Sequence, residues 1–167
     1  GKINKNLVLV INSKKIAENY LEEYKEIKLE NKYGKTKNKI VHFDNFILKN
    51  YFCPEDDCEE KVIEELNNAE KEIYFEQFSF TSKMIKEELI KKHLQGIKIN
   101  GIFDKLSAKT KWSVFNDLNK TGINVSIWKG EGKLHNKIFV IDNSTCIISL
   151  CLTAQVMVVV LLKFLIV

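Results

Sequence analysis

Apolar residues along this chain switch between strand-like spacing and a spacing of three to four, the pattern of strands alternating with helices. Asn6–Ile11 (NLVLVI) is a short run with β-branched residues and predicts a strand. Behind it, Asn12 or Ser13 can cap a helix in which Ile16, Tyr20, Tyr24 and Ile27 recur at spacings of four, four and three, one face of an amphipathic helix. A polar, lysine-rich stretch over 31–39 reads as a connector, and KIVHF behind it as a short strand or extended arm.

From Tyr51 the alternation becomes regular. Pro54 and the acids after it suit a helix start, where they complement the N-terminal dipole, with Val62, Ile63, Leu66 and Ala69 as the buried stripe. EIYFEQFSF follows as a strand. Thr81 or Ser82 caps a helix carrying Met84, Ile85, Leu89, Ile90 and Leu94 that ends at Gly96. IKINGIF is the next strand, TKWSVFNDLNK the next helix, stopped at Gly122, and INVSIW the strand after it. LHNKIFVID then turns at DNST (Asp142 to Thr145) into CIIS, a hairpin by its turn residues. The expected fold class is α/β, strands covered by helices on both faces. Three parts are expected: a strand-helix segment over 1–30, a linker over 31–50 and a domain over 51–167. The last twelve residues, VMVVVLLKFLIV, fall short of the roughly 20 needed to span a bilayer and read as a buried strand or strand pair.

Composition narrows the class. With 45% hydrophobic and 29% charged residues, one proline and seven glycines, the 167-residue chain is globular rather than disordered or fibrous, and its length favours one core. The net charge of +4 is carried entirely by lysine, for the sequence contains no arginine. Phosphate would therefore meet lysine point charges and backbone amides, not a bidentate guanidinium. Lysine excess over Lys28–Lys39 and Lys83–Lys120 reads mainly as solvated surface, with a nucleic-acid or anionic-lipid face as the alternative. Four cysteines form two C-x4-C pairs, Cys53/Cys58 and Cys146/Cys151; core or surface thiols are favoured over a zinc site or a disulfide. No basic segment with an apolar stretch behind it opens the chain, so a cytoplasmic location is expected, although the first residue is glycine and a leader could precede it.

The candidate chemistry lies in KLHNKIFVID. Side chains alternate along a strand, so His135 and Lys137 share a face with Cα atoms about 6.5–7 Å apart, a separation that suits two groups converging on one tetrahedral anion. Histidine is a nucleophile that titrates near neutrality, and lysine can neutralise a phosphoryl oxygen as charge develops. Asp142 has the opposite parity and sits where the strand meets its turn, so a supporting role suits it better than a direct bond to His135.

HNKIFVID resembles the HKD motif of the phospholipase D superfamily, and the chain from Tyr51 to about Ile148 looks like one repeat of that family. The resemblance implies a phospholipase D-like repeat with a mixed β-sheet, and a metal-independent phosphodiesterase needing no cofactor. His135 would be the nucleophile that forms a phosphohistidine, Lys137 the phosphate binder and Asp142 the motif's acid. It also implies two motifs facing across a pseudo-twofold, and this chain has one, since His42 and His93 lack the lysine and aspartate at that spacing. NLVLVINSKKIAENYLEEYKEI looks like the close of a preceding repeat. The second half-site is then expected from a missing repeat or from a homodimer partner. The family's Gly-Ser-x-Asn, about seven residues past the motif aspartate, reads Ser149-Leu150-Cys151-Leu152 here, and no acidic residue follows Asp142. A frame error or a decayed repeat would explain that tail. The substrate reading is a nuclease acting on DNA or RNA. A phospholipid hydrolase or cardiolipin-synthase type phosphatidyltransferase is the enzymatic alternative, and a catalytically inactive binding module the other.

Overall fold

A computed structural model describes residues 3–29, 34–149 and 158–165. Four helices, α1 (Lys14–Leu29), α2 (Cys58–Asn67), α3 (Lys83–Leu94) and α4 (Phe115–Lys120), alternate with strands β1 (Ile40–His42), β2 (Phe46–Phe52), β3 (Glu72–Gln77), β4 (Lys98–Phe103), β5 (Asn124–Ile127), β6 (Lys137–Ile141), β7 (Thr145–Ser149) and β8 (Val158–Phe164). The strands form one sheet in the order β1-β2-β8-β7-β6-β3-β4-β5. β3, β4 and β5 run parallel and every other pairing is antiparallel, so the sheet is mixed, as the resemblance implied.

Both faces are covered. On one, α2 and α3 pack Val62, Leu66, Ile85 and Leu89 against Ile73, Phe75, Phe103, Phe139 and Ile147. On the other, Ile16 of α1 packs against Val41, Leu48 and Leu162. β8 faces both layers, with Val159 and Leu161 in the first core and Leu162 in the second, which accounts for the nearly unbroken apolar tail. Residues 40–50, placed in the expected linker, supply β1 and most of β2; β1 pairs with β2 and β2 with β8, so the sheet reaches back well before Tyr51.

Four expectations need correction. NLVLVI forms no strand: the bridge beside it joins Lys5, just ahead of the run, to Leu134, and Leu7, Val8, Leu9 and Val10 are exposed. Strand propensity in this run finds no ladder among the described residues. α1 begins where Ser13 was expected to cap it, with the Ile16 N–H donating to Ser13 Oγ at 3.4 Å, but Tyr20, Tyr24 and Ile27 are exposed because only Ile16 and Asn19 are buried against the sheet. α2 starts at Cys58, not Pro54, since Asp57 takes a left-handed conformation (φ 53°) just before it. Cys53 and Cys58 form a disulfide, not the free thiols that were favoured. The turn between Cys53 and Cys58 brings the two sulfurs together, which sequence spacing alone did not reveal. Cys146 is a free thiol on β7, and Cys151 lies outside the described residues. No helix among the described residues is long and apolar enough to cross a membrane.

Candidate active site

β6 is fastened at its start by three neighbouring segments. The Leu134 N–H donates to Asp104 Oδ2 (3.0 Å), the Phe78 N–H donates to Asn136 O (2.8 Å) and the His135 N–H donates to Lys5 O (2.9 Å). Asp104 is fully buried past the end of β4, and its Oδ1 also accepts from the Leu106 N–H (2.9 Å). The carboxylate thus ties the β4 loop to the start of the HNK segment. A lone aspartate in IFDK carries no spacing signal, so sequence reading missed it.

His135 and Lys137 converge on Phe78. The imidazole centroid lies 4.7 Å from the Phe78 ring, and Lys137 Nζ lies 5.4 Å from the same ring. Lys137 is buried, and its Nζ donates to His135 O at 3.0 Å, so the ammonium is folded back beneath the histidine. His135 itself is exposed, with Nδ1 3.1 Å from Asn6 Oδ1. Burial first, and then the charges of Lys137 and Lys133, hold the imidazole below the usual histidine range; Asp104 opposes them. That lowering favours the neutral ring, the form whose lone pair can attack an electrophile.

Asp142 does not join them. It lies at the far end of β6, about 16 Å along the strand from Lys137 at ordinary strand rise. Its Oδ2 accepts from the Glu70 N–H (2.8 Å), and its Oδ1 from the Lys71 (2.8 Å) and Glu72 (2.9 Å) N–H groups. Burial would raise its pKa, but those three donors outweigh it and hold the carboxyl below the usual range. Two of the three expected site residues are thus brought together, and the third pins the opposite end of the strand. Gln77, opposite Lys137 in the β3–β6 register, is fully buried and neither side-chain amide atom has a hydrogen-bond partner. Ser149 is buried on β7, and the rest of the Ser-Leu-Cys-Leu window lies outside the described residues.

The loops after β3 and β4 leave the sheet at the same end as His135. Between them lies a groove lined by Lys83, Lys86, Lys109, Lys111 and Lys120, with Asp117 paired to Lys86 at 3.1 Å. Trp112 stands in it, 69% exposed, with Lys111 Nζ 4.5 Å from its ring. The segment after β3 is tied to the segment after β4 at two points: the Phe78 carbonyl accepts from Ser107 Oγ, and the Phe80 carbonyl accepts from the N–H of Val114, which lines the groove, at 3.1 Å.

Comparison with known proteins agrees with this architecture. The chain matches the family described as "Cardiolipin synthase, PLD-like domain" over residues 62–153. It is 29% identical over 96 residues to a phospholipase D of Rickettsia felis, an alignment covering 58% of this chain and 48% of the relative. The chain spans about half the length of the curated relatives it matches. NucT from Helicobacter pylori superposes with a TM-score of 0.66 at 20% identity, covering 71% of this chain and 86% of that one. Nuc from Salmonella typhimurium, a phospholipase D family member, superposes with a TM-score of 0.66 at 17% identity, covering 72% and 84%. With more than half its length matched by the family model and the same overall fold as these neighbours, the chain belongs to the PLD-like domain family of the phospholipase D superfamily.

Proposed function

We propose that this chain is one half-site of a phosphodiesterase acting on nucleic acid. The observation that carries the substrate class is the lysine-lined groove with exposed Trp112, opening at the same end of the sheet as His135. Lysines can track a phosphate backbone while an exposed aromatic offers a face to a base. In the reaction, a ring nitrogen of His135 attacks phosphorus and an N–P bond forms as a P–O bond breaks. The leaving oxygen takes a proton from the histidine of a second half-site, supplied by another repeat or another copy of the chain. Water then attacks the phosphohistidine, gives its proton to that second histidine, and frees His135. Lys137 balances charge on the non-bridging oxygens throughout.

A phospholipid substrate is the second reading, favoured by the description of the matching family and by the name of the curated relatives. Incubation with supercoiled plasmid and with labelled phosphatidylglycerol, in EDTA and beside His135→Ala, separates the two. Plasmid nicking that disappears in His135→Ala is expected. Lipid turnover without nicking overturns the nucleic-acid assignment, and neither activity, with His135 unphosphorylated by mass spectrometry, makes the domain an inactive binding module.

A further inference from the structure

Residues 3–6 reach His135 through a small built junction. Lys5 sits between two backbone bonds, its N–H donating to Lys133 O at 2.8 Å and its carbonyl accepting from the His135 N–H at 2.9 Å. Gly132 (φ +74°) makes the approach available: a Cβ there would lie 1.3 Å from Ile3 O, so any side chain would push the segment away. The junction delivers the next residue, Asn6, to the imidazole, with Oδ1 3.1 Å from Nδ1. Two carboxylates of the same region are engaged elsewhere: Asp104 by the backbone N–H groups of Leu134 and Leu106, and Asp142 by those of residues 70–72.

We infer that Asn6 is the positioning residue of His135, its carbonyl oxygen holding the proton on Nδ1 so that the lone pair sits on Nε2, the nitrogen left free to attack. A carbonyl oxygen can only accept, so the nitrogen facing it must carry the hydrogen. The surroundings favour the neutral ring this requires: burial first, and then Lys137 and Lys133, disfavour an imidazolium against the opposing charge of Asp104. A neutral amide fixes the tautomer without adding the negative charge that would draw a second proton onto the ring. The role rests on the phosphohistidine reading of His135, yet the proton's location can be measured without any substrate.

The test is a long-range proton–nitrogen correlation spectrum of the labelled chain, at a pH where His135 is neutral. The wild type is expected to carry its proton on Nδ1. Asn6→Ala should move part of the population to Nε2 and slow phosphohistidine formation on bis(p-nitrophenyl) phosphate by about 10-fold or more, by analogy with the loss of the hydrogen-bond partner that orients a metal-binding imidazole. Asn6→Asp should restore the Nδ1 proton and raise the titration midpoint of the ring. Asn6 is exposed and outside both cores, so these variants leave the fold in place. Gly132→Ala, which displaces the segment by another route, should shift the tautomer as Asn6→Ala does. A wild-type proton on Nε2, or a tautomer ratio that Asn6→Ala leaves unmoved, overturns the inference. A tautomer that responds while no phosphohistidine forms in any variant overturns the reading of His135 instead and leaves the proton placement standing.

Discussion

At the scale of single residues, the three letters of the motif divide into two kinds of work. His135 and Lys137 meet at Phe78, whereas Asp142 gathers the backbone N–H groups of Glu70, Lys71 and Glu72, where the chain enters β3, at the other end of β6. Hydrogen bonds to a charged acceptor contribute more than neutral ones, and Asp142 also tolerates the left-handed conformation (φ 50°) that the hairpin turn requires. Asp142→Ala is therefore expected to cost about 1–3 kcal/mol in urea unfolding, on the usual scale of such bonds. The fraction that stays folded should still phosphorylate His135. Its carboxyl is held below 3.8 in the folded chain, so the stabilisation is complete above that pH and fades as pH falls through the lower folded value. A variant of unchanged stability that has lost phosphohistidine formation would place Asp142 in the chemistry and sink the structural assignment.

Elements were legible in the sequence where burial is two-sided or strictly one-sided. β8 reads as nearly unbroken apolar because each face enters a different core, and α2 shows its stripe because Val62 and Leu66 are both buried in the core against the sheet. The same logic fails at the N-terminus, where Leu7 to Val10 and the Tyr20–Tyr24–Ile27 row are apolar in pattern but exposed in structure. A hydrophobic pattern reports that a face could be buried, and only tertiary contacts decide whether it is. The His135–Lys137 pair was legible in the sequence, since strand parity alone puts both side chains on one face. Asp104 and Asn6 reach it from 30 and 129 residues away along the chain, a proximity only folding creates.

α1 carries a consequence of its own placement against the turn between Cys53 and Cys58. Burial, and then the nearby carboxylates of Glu55 and Glu26, push Glu23 up to about 7, with a side-chain hydrogen bond to Glu55 and a small contribution from Asp56 in the same direction. A carboxyl whose folded pKa exceeds its ordinary 4.5 stabilises the fold when protonated, so its contribution is complete below 4.5 and is lost as pH rises toward 7. Tm of the wild type should fall across that interval relative to Glu23→Gln, which cannot ionise. Parallel Tm curves for the two proteins between pH 4.5 and 7 would show that Glu23 has no shifted titration.

At the scale of the whole molecule, the reaction proposed above asks the chain for one attacking histidine and one phosphate-binding lysine, while a displacement that protonates its leaving group needs a second acid. If that acid is the His135 of a second copy, activity belongs to a pair of chains, and dilution with an inactive copy has a defined arithmetic. In a freely exchanging mixture of wild type and His135→Ala at fixed total concentration, the share of pairs with two histidines is the square of the wild-type fraction. Equal parts should then retain about a quarter of the phosphodiesterase rate, and excess variant should abolish it. A rate proportional to the wild-type fraction means that each chain acts with a group of its own or of another repeat, and removes the pairing of identical half-sites. The readout also separates this from mere weak association, because the shape of the curve at fixed total concentration depends on who supplies the second histidine and not on how tightly the copies bind.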